Sequence, residues 1–192
     1  MADTKTRIVV KSGELFRRHG YVGTGLKQIA AEAAAPFGSI YHFFPGGKQE
    51  LAAEVIRTSG RLYEDLVMGL LTQAGNAVDA MRLSFGAAAQ LLAETDYADA
   101  CPIAMVALEV AGTNEPLRRT TAEVFTSWTD AGTGVFASWG YPADVARRLS
   151  IAFILALEGA FVLARTQRDT EPLMVAMSTM IDTIRAADAD RP

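Results

Sequence analysis

The 192-residue chain holds one cysteine, Cys101, and two histidines, His19 and His42. A single thiol excludes an internal disulfide framework and fits a reducing compartment. Both histidines precede Cys101 by more than fifty residues, which leaves the thiol without a plausible base. The same scarcity leaves no close-spaced set of metal ligands. Gly46-Gly47-Lys48 lacks the glycine-rich spacing of a phosphate loop and the hydroxyl residue after the lysine. No enzymatic activity, metal or cofactor is therefore expected. Lysine is scarce as well: Lys5, Lys11, Lys27 and Lys48 are the only four, all in the first quarter of the chain. Residues 1–60 carry +3 and the remainder −7, for a formal total of −4. A basic head on an acidic body fits a chain whose head alone meets a polyanion, although four lysines can also cluster by chance. Long uncharged apolar runs are missing, being cut by Asp79 and Arg82, by Glu109 and by Glu158, so no membrane span is predicted. MADTKTR has no apolar run behind it and predicts no signal peptide, hence a cytoplasmic location.

What is present is helical. Half the residues are hydrophobic and 21% charged, a globular composition, and no strand-length alternation competes with the helical periodicity. A first helix is predicted from about Thr4 to His19, with Ile8, Val9, Leu15 and Phe16 inward, Gly20 as its stop and Tyr21 folded back. Thr24 is the expected N-cap of a second helix over 26–33. A break at Ala34-Ala35-Pro36 leads into a third helix over 37–44, and Gly46-Gly47 turn into a long helix whose stripe is Leu51, Val55, Leu62, Leu66 and Leu70. Asn76 and Asp79 resemble a capping box for a helix to about Thr95. A linker at 97–101 precedes a short helix over 102–111. The next begins at Asn114-Glu115-Pro116, with Gly132 and Gly134 as possible interruptions. Residues 143–168 and 172–187 complete an all-α fold, with 188–192 frayed.

The stretch LKQIAAEAAAPFGSIYHFFP, residues 26–45, organises the rest. Leu26, Ile29, Ala30 and Ala33 share one face, and Ile40 with Phe43 or Phe44 returns the second short helix against it. Such a pair is a helix-turn-helix, whose second helix enters a DNA major groove, but the apolar spacing also serves a plain core hairpin. Gly38, Ser39, Tyr41 and His42 around the one anchor Ile40 suit a surface for phosphates and bases. Lys27 and Gln28 offer charge and a bidentate amide; Phe37 can pack on a thymine methyl and His42 can bond a base edge. Gly38, without a Cβ, permits close approach. The alternatives are that Phe37 closes the hairpin core, that His42 is a surface residue or cap, and that Lys48 is a solvated turn lysine.

Residues 20–51, GYVGTGLKQIAAEAAAPFGSIYHFFPGGKQEL, resemble the DNA-binding head of the TetR family of transcriptional repressors. APFGSIYHFFPGGKQEL and CPIAMVALE resemble its LmrA/YxaF-like subgroup. The resemblance implies a three-helix head, residues 1–47, on a ligand-binding and dimerisation body, residues 48–192, joined by a connecting helix over 48–71. It implies that residues 24–27 and 37–42 face duplex DNA, Thr24, Lys27, Phe37, Gly38, Ser39, Tyr41 and His42 among them, with Tyr41 and Lys48 on phosphates. Two residues depart from it. Ala34 stands where a turn glycine is common, and a left-handed alanine costs about 1–2 kcal/mol. Phe37 stands where a basic residue is common.

In the body, Glu109 and Glu158 interrupt the apolar runs VALEVA and ALEGAF. They either face solvent or arginines (Arg118, Arg119, Arg165), or supply polar handles in a ligand cavity. With the resemblance in view, that cavity is expected to be lined by Phe85, Met105, Leu108, Phe125, Trp128, Trp139 and Phe161, suiting a hydrophobic or aromatic small-molecule effector. The last two helices are expected to make a homodimer. Leu149, Ala152, Phe153, Ala156, Gly159, Ala160 and Ala164, with a second stripe of Met177, Ile181 and Ile184, would face the same patch of the partner in a four-helix interface, unless they pack within their own body. The expected function is a ligand-responsive repressor whose two heads read a pseudo-palindromic operator. The rival is a helical small-molecule-binding or scaffold protein without specific DNA binding.

Overall fold

A computed structural model describes residues 3–98 and 101–189. Among them every regular element is an α-helix: α1 (Thr4–His19), α2 (Leu26–Glu32), α3 (Phe37–Phe43), α4 (Gly47–Gln73), α5 (Ala77–Glu94), α6 (Pro102–Val110), α7 (Glu115–Ser138), α8 (Ala143–Gln167) and α9 (Glu171–Ala189). Residues 99 and 100 of the expected linker and 190–192 of the expected frayed end lie outside the described residues. The chain forms two compact units, residues 1–62 with 101–124, and residues 63–100 with 125–192. The first takes in α6, because Ile103, Val106 and Val110 are buried and α6 packs against α1.

In the first unit, Asp3 caps α1 by accepting from the Thr6 N–H at 2.8 Å. Gly20 ends the helix at φ 74°, and Tyr21 meets the Phe16 ring edge-on at 5.8 Å. α2 and α3 have seven residues each, too few to stand alone in water. They are fixed by fully buried Ile29 and Ile40 and by packing against α1 and each other.

The turn between them is a Schellman closure: the Ala35 N–H donates to Ala30 O at 2.9 Å, and the Ala34 N–H to Ala31 O at 3.0 Å. Its left-handed residue is Ala34, at φ 47°. Arg7 of α1 supports the turn, its guanidinium donating to the carbonyls of Ala33 (3.1 Å) and Ala34 (3.4 Å). A helix C-terminus leaves such carbonyls without intrahelical partners and favours a cation beside them.

In the second unit, α9 packs on α5 and α8 around Met81, Phe85, Phe136, Leu149, Phe153, Leu173 and Ile184. Asn76 caps α5 as expected, accepting the Asp79 N–H at 2.9 Å on Oδ1, but Asp79 answers the Asn76 side-chain Nδ2 at 2.8 Å, a side-chain pair in place of the backbone return bond of a capping box. The glycines do not interrupt α7. A Cβ at Gly132 would sit 2.5 Å from Ser150 Oγ, so the glycine lets α7 approach α8 closely, where the Ser150 hydroxyl donates to Thr129 O at 2.8 Å.

Two apolar assignments are corrected by packing. Leu62 and Leu66 of α4 are 66% and 53% exposed, so the stripe that begins with buried Leu51 and Val55 does not continue through them. On α8 and α9, Leu149, Phe153, Ala160, Ala164, Ile181 and Ile184 are buried in the protomer's own core, with Ala152, Ala156 and Met177 packed against it. The six buried residues are therefore used within one chain, whereas Ala152, Ala156 and Met177 are half-buried and Gly159 is exposed. The free apolar side of α8 is instead Ile151, Leu155, Val162 and Leu163, with Leu155 at 68% exposure. By length and composition α8 is also apolar enough to cross a membrane, a consequence of being apolar on both faces.

Ala34→Gly should raise the unfolding free energy by about 0.5–1 kcal/mol in urea denaturation, since glycine relieves the left-handed strain but adds chain entropy to the unfolded state. A drop in stability would contradict the strained-alanine account.

Candidate nucleic-acid interface

α3 buries Ile40, half-buries Phe43 and turns Phe37, Tyr41 and His42 outward. Ile40 is fully buried, whereas Phe37 is 44% and Tyr41 49% exposed. The two rings meet edge to face at 5.8 Å, one helical turn apart, which keeps both rings together on the outer face. Phe37 is therefore a surface residue and not the hairpin's core closure. His42 is exposed beside Phe43 at 4.9 Å, and Ser39 is half-buried. A Cβ built at Gly38 would meet nothing within 4 Å, so the protomer's own packing does not require glycine there. From α2, Lys27 and Gln28 are exposed and lie in the first turn.

Thr24 is corrected. Gly25 occupies the N-cap of α2, and no side chain caps that end. The Thr24 hydroxyl donates backward to Gly20 O at 2.7 Å, and the residue is 1% exposed. It ties the α1–α2 loop to the end of α1 and offers no surface to DNA in this conformation. The signal that misled is shared: a threonine two residues before a helix serves either end of a loop.

Lys48 opens α4 with its Nζ 4.4 Å from the Tyr21 ring centroid and 3.5 Å from Val22 O. Partial burial holds its pKa below the usual lysine value, opposed by the nearby Glu109 carboxylate. Burial likewise raises the Tyr21 phenol. Glu109, on α6, accepts the Val22 N–H at 2.7 Å. Its carboxylate is thus engaged with the α1–α2 loop, while Arg118 and Arg119, two of the arginines considered as its partners, pair with Glu115.

The residues expected around an effector are distributed as follows. Phe85 is buried, edge-on to Phe153 at 5.7 Å, and half-buried Phe161 packs against the same core. Phe125 and Trp128 form an edge-to-face pair at 5.5 Å, as do Phe136 and Trp139. Glu158 and Met105 are half-buried, while Leu108 is 80% exposed. A cavity of about 680 Å³ in the second unit is lined by Trp139, Tyr141, Val78, Asn76, Ser138 and Asp188 among others. It includes Trp139 and no other residue of the expected effector wall.

Residues 8–55 match the family model for bacterial regulatory proteins of the tetR family, and residues 77–179 match the C-terminal domain of LmrA/YxaF-like transcriptional regulators. The HTH-type transcriptional regulator YxaF of Bacillus subtilis is 33% identical over 173 residues, 90% of this chain and 91% of that protein. The chain belongs to the tetR family. LmrA of B. subtilis is 26% identical over 95% of this chain and 97% of its own length. Solved tetR-family structures from Rhodobacter sphaeroides and Agrobacterium tumefaciens share the fold, with TM-scores of 0.81 and 0.80 at 21% and 20% identity. They cover 92% and 94% of this chain and 96% of each of theirs. The protein is a ligand-responsive DNA-binding regulator of the tetR type and not an enzyme.

Within this tetR head, Lys48→Ala should weaken binding to specific and random duplex alike and reduce the salt slope by about one unit. Fluorescence anisotropy titrations over a range of salt concentrations measure this. Unchanged slope and affinity in a folded variant would remove Lys48 from the phosphate contacts.

Proposed function

We propose that the protein is a cytoplasmic homodimeric repressor that binds a pseudo-palindromic operator and is released by a small, mostly apolar effector. The observation that carries the DNA reading is α3: Phe37, Tyr41 and His42 stand outward around the single buried anchor Ile40, beside an open Gly38. The N-terminal residues of a recognition helix are those that reach base edges, so Phe37, Gly38 and Ser39 meet bases while Tyr41 and Lys48 hold phosphates. Gln28 and Lys27 extend the reading face from α2. One seven-residue helix covers only a few base pairs, so two heads on successive major grooves, about 34 Å apart, supply the specificity.

The dimer rests on the outer side of α8. Ile151, Leu155 and Val162 recur along one helical face, and Val175 of α9 is 56% exposed. Apolar side chains of this size left in water along a helix favour burial against a symmetric copy, in a four-helix interface. The effector reading keeps Phe125, Trp128 and Phe161 as apolar contacts and Glu158 as the polar handle. An effector releases DNA only if it binds the DNA-incompetent arrangement more tightly.

Selection from a random duplex pool tests the whole reading. An inverted repeat with half-sites one turn or a multiple apart is expected, and recovery of no preferred sequence would overturn it. Leu155→Glu should leave the protomer folded, because the side chain lies outside its core, yet place desolvated like charges at the interface. Sedimentation should then show monomer and operator affinity should fall. A wild-type protein that stays monomeric above its DNA-binding concentration would remove this interface.

A further inference from the structure

The α1–α2 loop is gripped at Val22 from two sides. Its N–H donates to Glu109 Oε2 at 2.7 Å, and its carbonyl faces Lys48 Nζ at 3.5 Å. Val22 itself is 73% exposed, so side-chain burial does not hold it in place. Two residues earlier, a Cβ on Gly20 would fall 1.9 Å from Glu109 Oε1, which means that the carboxylate occupies the space the glycine leaves. The Thr24 hydroxyl on Gly20 O completes the knot, two residues before α2 begins. Glu109 lies within the C-terminal family match, residues 77–179, while the loop and Lys48 lie within the head match, residues 8–55. One carboxylate from the effector-domain sequence therefore fixes the backbone that leads into the DNA-reading helices.

We propose that Glu109 is a positioning residue for operator binding: its carboxylate clasps the Val22 N–H and holds Lys48 beside it, setting the pose of the α1–α2 loop. This rests on the reading of α2, α3 and Lys48 as the DNA face. Two consequences have opposite signs. Loss of the acceptor frees the loop and weakens the register that specific binding needs. Loss of the negative charge beside Lys48 raises the local positive potential and favours any phosphate backbone. Merely structural damage would weaken binding to both kinds of duplex together.

The test compares wild type, Glu109→Ala and Glu109→Gln on a selected operator duplex and on a scrambled duplex of equal length, with hydrogen exchange of the Val22 amide followed by NMR in the free protein. A hydrogen bond to a charged group is worth about tenfold in an equilibrium. Glu109→Ala should therefore lose about tenfold on the operator, hold or gain affinity on the scrambled duplex, and expose Val22 to exchange. The glutamine carbonyl still accepts, so Glu109→Gln should stay within about threefold of wild type on the operator and keep Val22 protected. Equal losses on both duplexes, a glutamine variant as defective as alanine, or unchanged Val22 protection in Glu109→Ala would each overturn the proposal. If wild type selects no sequence, the DNA reading fails, and Val22 exchange still decides whether the clasp exists.

Discussion

The burial of two isoleucines underlies everything the head can do. α2 and α3 are each two turns long, and nucleation costs alone would leave them unformed as isolated segments. Ile29 and Ile40, both fully withdrawn from solvent, fasten them to α1 and to each other. Ile40 is the one fully buried residue of α3, with Ser39 and Phe43 half-buried, which leaves Phe37, Gly38, Tyr41 and His42 exposed. The exposed aromatic and polar side chains can then be chosen for a partner outside the chain. The turn that sets the angle between the two helices carries a strained Ala34, and Arg7 neutralises the carbonyls beside it. The strain is tolerated because tertiary contacts on both sides determine the turn.

A second constraint is electrostatic. Lys48, at the start of α4, stands against the α1–α2 loop. Glu109 supplies one negative charge there, and the Tyr21 ring shares the Lys48 ammonium. Small energies of this kind are enough to set a loop's pose, since the exposed Val22 has little else to hold it.

The sequence made the local features legible wherever a single residue type decides a backbone outcome. Gly20 stops α1, Asn76 caps the start of α5, and the alanine at the turn adopts the left-handed conformation that makes it costly. Periodicity was less informative where both faces of a helix are apolar. On α8 the alternation of small and large groups marked the side that packs on α5 and α9 neighbours within the protomer, while Ile151, Leu155 and Val162 lay on the opposite side. Spacing identifies a face and cannot say what covers it. Thr24 bonds backward to Gly20, four residues earlier, where a forward cap on α2 is equally compatible with the sequence; Glu109 meets Val22, 87 residues away, a pairing only the tertiary arrangement makes. The glycines of α7 show the converse, since Gly132 is there to admit Ser150 and not to end the helix.

The central claim is that the outward side chains of α2 and α3 read bases. It is tested most directly by measuring the base preference, position by position, of Gln28→Ala, Phe37→Ala and His42→Ala against wild type. Each lost base contact should relax discrimination at particular operator positions by about 1–3 kcal/mol while leaving affinity for random duplex nearly intact. Wild-type preferences at every position in all three variants would contradict the proposed reading face.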